Sequence, residues 1–146
     1  MHSTVRLALL LIRVTFGLFL LAWGANKIVN TEATSGLFAK YYGIDQLASS
    51  SALIFGGLQV LLALAIIVGV FKTITYGAGA LLHLGSTVAT AGSILMPLAE
   101  GSNLLFMAGL PIMGAILGLF IARQHDTLLS LDNLRLSKSR AGAVAV

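Results

Sequence analysis

The sequence predicts an all-α protein: an integral membrane four-helix bundle with both termini in the cytoplasm. Three observations carry that reading. Of the 146 residues, 58% are hydrophobic and only 10% are charged, whereas a soluble domain carries roughly 25% charge. So short a soluble chain has too much surface for its volume to hide that apolar excess, and lipid is the solvent that accommodates it. Second, four apolar stretches, residues 7–29, 51–71, 74–95 and 104–122, reach the roughly 20 residues a spanning helix needs. Third, the basic residues collect at the ends of these stretches, and predominantly on one side.

The first stretch is preceded by Arg6 and interrupted by Arg13, then runs well beyond signal-peptide length, so a membrane helix and not a cleaved leader is expected. The connection over residues 30–50 carries Phe38, Tyr41, Tyr42, Ile44 and Leu47. Aromatic residues favour the headgroup layer, so this segment should lie on or dip into the outer interface. The second stretch ends before a tight turn at Lys72 and Thr73, and the third is stopped by Pro97. The fourth contains Pro111, tolerable in a membrane helix when neighbours satisfy the freed carbonyl. After Arg123, Leu128, Leu129, Leu131, Leu134 and Leu136 alternate with charges, which suits a short surface helix. The chain thus divides into a four-span domain, 1–125, and a cytoplasmic tail, 126–146, whose last residues, 141–146, read as disordered.

With four spans, Arg6, Lys72, Arg123, Arg135, Lys138 and Arg140 share one side, and Lys27 and Lys40 share the other. The side richer in basic residues faces the cytoplasm. Glu32, Asp45 and Glu100 then fall outside. A multi-pass protein of the cell inner (plasma) membrane is expected. The basic residues serve topology, and no nucleic-acid surface is expected.

Polar groups within the spans carry the functional information, because each costs free energy in lipid. Arg13, Gly17, Leu20, Gly24 and Lys27 follow helical spacing and share one face. The glycines would let another helix approach closely. Each cation has two readings, a snorkel to its nearer headgroup layer or a contact inside the bundle. Gln59, on a face with Gly56 and Ala63, either glues helices by a hydrogen bond or touches a ligand. His83 shares a face with Tyr76, Thr87 and Thr90. It could bind a metal or haem, relay a proton, donate to a quinone carbonyl, or bond a threonine or backbone carbonyl. The other histidines, His2 and His125, lie at the extremities, so no haem and no tightly bound metal is expected in a single copy. Arg13, Lys27, Gln59 and His83 form a candidate polar cleft for a quinone or a lipid, entered between the first two spans near Gln59 and Lys27. Gly85, Ala89 and Ser93, and likewise Gly114 and Gly118, are spaced for tight packing within the chain.

Much chemistry is excluded. Without cysteine there is no disulfide or thiol redox site. No paired carboxylates, phosphate-cradling loop or nucleophile with a base stand at motif spacing. No pair of interrupted helices of the kind transporters use is legible.

The first span (RVTFGLFLLAWGANKI), the aromatic segment GLFAKYYGI and the glycine-led second span (FGGLQVLLALAIIVGVF) resemble the DoxX-like family of small bacterial four-helix membrane proteins. The resemblance extends over residues 6–122. It implies a bundle linked to membrane redox, with members that act as membrane subunits of a thiosulfate:quinone oxidoreductase or as partners of oxidative-stress enzymes. Gln59 stands where members often carry a glutamate. The leading expectation is an accessory or quinone-contacting subunit of a membrane-associated oxidoreductase, with no self-contained catalytic set. The alternative is a non-catalytic anchor or assembly factor. Expected partners are lipids, a soluble or membrane oxidoreductase, and further copies of the chain.

Overall fold

The computed structural model describes residues 3–45, 48–100 and 102–144. His2, Leu47 and the last two residues of the tail lie outside them. The described residues are helical and contain no strand. In order they are α1 (Ser3–Val29), α2 (Thr31–Tyr42), α3 (Ser49–Val68), α4 (Lys72–Ala89), α5 (Ala91–Leu95), a 3₁₀ turn (Leu104–Ala108), α6 (Gly109–Ile121) and α7 (Leu131–Val144).

Three helical stretches are long and apolar enough to cross a membrane: Ser3–Val29, Ser49–Val68 and Leu104–Ile121. Large side chains cover their outsides, including Leu11 and Leu18 on α1, Leu58 and Leu61 on α3, and Leu117 and Ile121 on α6. Contiguous exposed apolar surface of this kind calls for lipid. One core joins Leu9, Phe16 and Leu20 of α1, Ala63 and Ile66 of α3, Tyr76 and Ala80 of α4, and Ile116 and Leu119 of α6.

The third apolar stretch does not form one helix. It breaks at Thr90 into α4 and the short α5. The hydroxyls of Ser86 and Thr87 donate to the His83 carbonyl, and Thr90 donates to that of Ser86. Such back-bonding competes with the helical ladder and bends helices. The fourth stretch opens as a 3₁₀ turn and becomes α-helical only at Gly109. Pro111 therefore stands in the first turn of α6, where a missing N–H costs little. The two interruptions pack together at one end of the molecule.

Other elements also depart from the sequence reading. The 30–50 connection folds as α2, set off from α1 at Asn30 and closed by Gly43. The α3–α4 turn comprises Gly69, Val70 and Phe71, while Lys72 and Thr73 open α4. The tail helix α7 continues to Val144, through part of the segment expected to be disordered. Gly114 and Gly118 lie open on the outside of α6, with nothing near either, so they do not pack within the chain. The glycines of α1 do pack. A Cβ on Gly24 would sit 3.1 Å from the Val60 nitrogen and 3.2 Å from the Gly56 carbonyl oxygen. One on Gly56 would sit 2.9 Å from the Gly24 oxygen. Only glycine permits this crossing of α1 and α3.

Candidate functional site

The four polar residues expected to line one cleft occupy three separate places. The first, at what we term the proximal end, gathers the first half of α1, the α3–α4 turn and the segment between α6 and α7. Arg13 is fully buried there, as its place on the glycine stripe of α1 expects. Its Nη1 donates to both carboxylate oxygens of Asp126 at 3.0 Å. Its Nη2 donates to the carbonyls of Leu128 at 2.9 Å and Leu129 at 3.0 Å. Only Nε lacks a partner. Tyr76 donates its hydroxyl to Asp126 at 2.6 Å, and Lys72 Nζ donates to the Asp126 backbone carbonyl at 2.8 Å. Asp126 is 0% exposed, so its charge stands on these donors alone. A buried pair holds only when its remaining hydrogen-bonding capacity is met this fully.

The chain is turned sharply around this cluster. Gly69 closes α3 at φ +67°, and the Arg13 guanidinium occupies the space a side chain there would need. Phe71 and Leu129 take positive φ without being glycine, a conformation that costs about 1–3 kcal/mol each and survives where neighbours impose it. The neighbours are on hand. The carboxylate of Asp132 accepts from the backbone N–H of Phe71 and of Lys72, capping α4 from across the fold. Ser130 Oγ donates to the Gly69 carbonyl, and the Leu129 carbonyl is held by Arg13.

The second place is at the opposite, distal end. Lys27 Nζ donates to Gln59 Oε1 at 2.9 Å, and Gln59 Nε2 donates to the Leu20 carbonyl at 2.9 Å. The pair sits over the Gly24–Gly56 crossing. Lys27 also lies 5.8 Å from the centre of the Trp23 ring, within cation–π range. It is only partly buried.

The third place is His83. It is buried with Nε2 3.0 Å from the Gly109 carbonyl oxygen, and its ring stands edge-on to Phe16 and Phe19 at 6.2 and 5.6 Å. His83 thus ties α4 to the first turn of α6, and Asn103 caps the 3₁₀ turn by accepting from the Leu105 N–H. The polar face of α4 does not act as one unit. Tyr76 reaches Asp126, His83 reaches α6, and Thr87 and Thr90 bond their own helix.

Two shallow grooves open on the surface. One of about 250 Å³ is lined by Ala22, Trp23 and Asn26. The other, about 160 Å³ between α1 and α6, is lined by Ile12, Thr15, Phe16, Phe19, Ile112 and Ala115. Neither is lined by Arg13, Lys27, Gln59 or His83. Among the described residues no group of three or more His, Cys, Asp or Glu side chains could hold a metal.

Asp126 is the principal residue that sequence reading missed. It lies beyond the last apolar stretch and reads as part of a tail. A signal was available, since an arginine embedded in lipid demands an anion. Once Glu32, Asp45 and Glu100 are assigned to the other side, Asp126 and Asp132 are the only acids left. Compared with protein families, with curated proteins and with solved structures, the chain matches none.

Proposed function

We propose that this chain is a four-span protein of the cell inner membrane, with both termini cytoplasmic. In this reading it is an accessory subunit that anchors or assembles a membrane-associated oxidoreductase and carries no catalytic centre of its own. The observation that carries the non-catalytic part is the closure of the proximal cluster. Arg13, the most costly group to place in lipid, is bonded to Asp126, Leu128 and Leu129 with no exposed surface. Gln59 and His83 likewise spend their hydrogen bonds on the chain itself. Such groups hold an architecture together and have little left for a substrate. The fourth span is α4, whose Lys72 and His83 lower its apolar character but whose core residues pack with those of the other three. The redox partner rests on the resemblance to DoxX-like proteins.

The interrupted helices do not favour a transporter. In transporters the freed helix ends face a substrate near the membrane midplane, whereas here Asn103 caps the opening of the 3₁₀ turn and His83 is spent tying α4 to α6.

Gentle detergent purification followed by mass spectrometry tests the proposal, with a soluble oxidoreductase expected to co-elute. Reporter fusions at Lys72 and at the C-terminus should read cytoplasmic, and one at Ser35 external. Stoichiometric quinone without a protein partner would overturn the anchoring role, and an external C-terminus would overturn the topology.

A further inference from the structure

The two embedded cations of α1 are treated unequally. Arg13 has a carboxylate, and that ion pair is the only one among the described residues. Lys27 has only a neutral amide: one of its three N–H groups goes to Gln59. An amide orients an ammonium but does not neutralise it. The nearest acid along the chain, Glu32, is exposed on α2 and makes no ion pair with it.

Depth matters as well. Lys27 is eleven residues beyond Phe16, the midpoint of α1 (Ser3–Val29). At about 1.5 Å per residue this is roughly 16 Å, half of a hydrocarbon layer roughly 30 Å thick. The Lys27 backbone thus stands at the edge of the hydrocarbon layer, within a side chain's reach of the headgroups. Beside it, the Trp23 ring forms one wall of the groove that Ala22 and Asn26 complete. Asn30 Nδ2 donates to Asn26 Oδ1, which leaves the Asn26 Nδ2 hydrogens as that amide's donors toward an anion. The groove therefore offers an amide donor and an apolar floor, and the un-neutralised cation stands beside its Trp23 wall.

We propose that Lys27, Asn26 and Trp23 hold the headgroup of an anionic phospholipid at the distal rim of α1, its first acyl carbons lying along Ala22 and Trp23. A neutral quinone could accept a hydrogen bond there but would leave the charge uncompensated, so the anion is favoured. Gln59 positions the ammonium and does not touch the lipid. The inference rests on the membrane placement proposed above.

The test is native mass spectrometry of the full chain in neutral detergent, with phosphatidylglycerol, phosphatidylcholine of the same acyl chains, or a short-chain benzoquinone added. The wild type should retain phosphatidylglycerol over phosphatidylcholine by about tenfold, the scale of one charge-assisted contact. Lys27→Met should abolish that preference, Lys27→Arg should keep it, and Lys40→Met should leave it unchanged. If Lys27→Met does not fold, the double variant Trp23→Leu/Asn26→Leu, which spares the Gln59 bonds, should lower the preference about threefold. A preference that survives both changes, or one lost instead on replacing Arg123 or Arg135, would overturn the site. So would a benzoquinone adduct that depends on Lys27 while lipid binding does not. Failure of the membrane placement shows separately, as protein that stays in the aqueous phase on detergent phase separation.

Discussion

The proximal and distal ends of α1 solve one problem in two ways. Each must place a cation beside apolar surface. Fourteen residues apart on one helical face, Arg13 is wholly enclosed and Lys27 is partly exposed. The enclosed cation takes a carboxylate and two backbone carbonyls from the segment between α6 and α7, and a phenol from α4 holds that carboxylate in turn. The rim cation takes one amide and a tryptophan face. Depth sets how complete the coordination must be, because the cost of an uncompensated charge rises steeply as water withdraws. Guanidinium suits the deep position, since its planar fork can satisfy a carboxylate and two carbonyls at once.

The sharpest way to break this comparison is to remove Asp126. Asp126→Ala leaves Arg13 charged and buried, at a cost of about 3–5 kcal/mol. Thermal unfolding in detergent should show it as the largest loss among single substitutions at these sites. The double variant Arg13→Leu/Asp126→Leu should recover much of that loss, because it removes the charge together with its partner. If Asp126→Ala proves no more harmful than a change at the distal pair, the contrast between the ends fails.

A Gly56→Leu substitution probes the distal end through packing. A side chain there meets the Gly24 backbone at 2.9 Å, and overpacking of this kind costs about 1–3 kcal/mol. The same unfolding assay should rank it below Asp126→Ala. Its effect should be repeated by Gly24→Leu and absent from Gly118→Leu, whose position is open.

Smallest of the three is Gln59→Leu. It deletes one bond to Lys27 and one to the Leu20 carbonyl, and hydrogen bonds between membrane helices are worth about 1 kcal/mol. Lys27 is near enough to the rim to turn to headgroups instead. A loss comparable to that of Asp126→Ala would mean that the distal pair is as closed as the proximal one.

Much of this architecture is legible in residue order alone. The apolar lengths mark three of the expected spans, because a membrane's thickness imposes a length on any helix that crosses it. Helical periodicity places Arg13 on the stripe with Gly17 and Gly24, and that stripe is buried. Both signals are local and can be read within one or two turns. The third apolar stretch was harder. Its hydroxyls look like a polar face for a ligand, but they bond their own carbonyls and break the helix at Thr90.

What the sequence by itself determined is therefore the extent of three apolar spans, the inward face of α1 and the absence of thiol chemistry. Only the tertiary structure decided who pairs with whom. It sent Tyr76 to Asp126 and His83 to Gly109, and it joined Arg13 to a carboxylate 113 residues away. The physical reason is that burial and periodicity belong to a segment, whereas a buried charge is satisfied by whichever group the fold brings within 3 Å. Asp126 carries no local mark of that role; it became part of the core when the α3–α4 turn and the residues after α6 closed over Arg13.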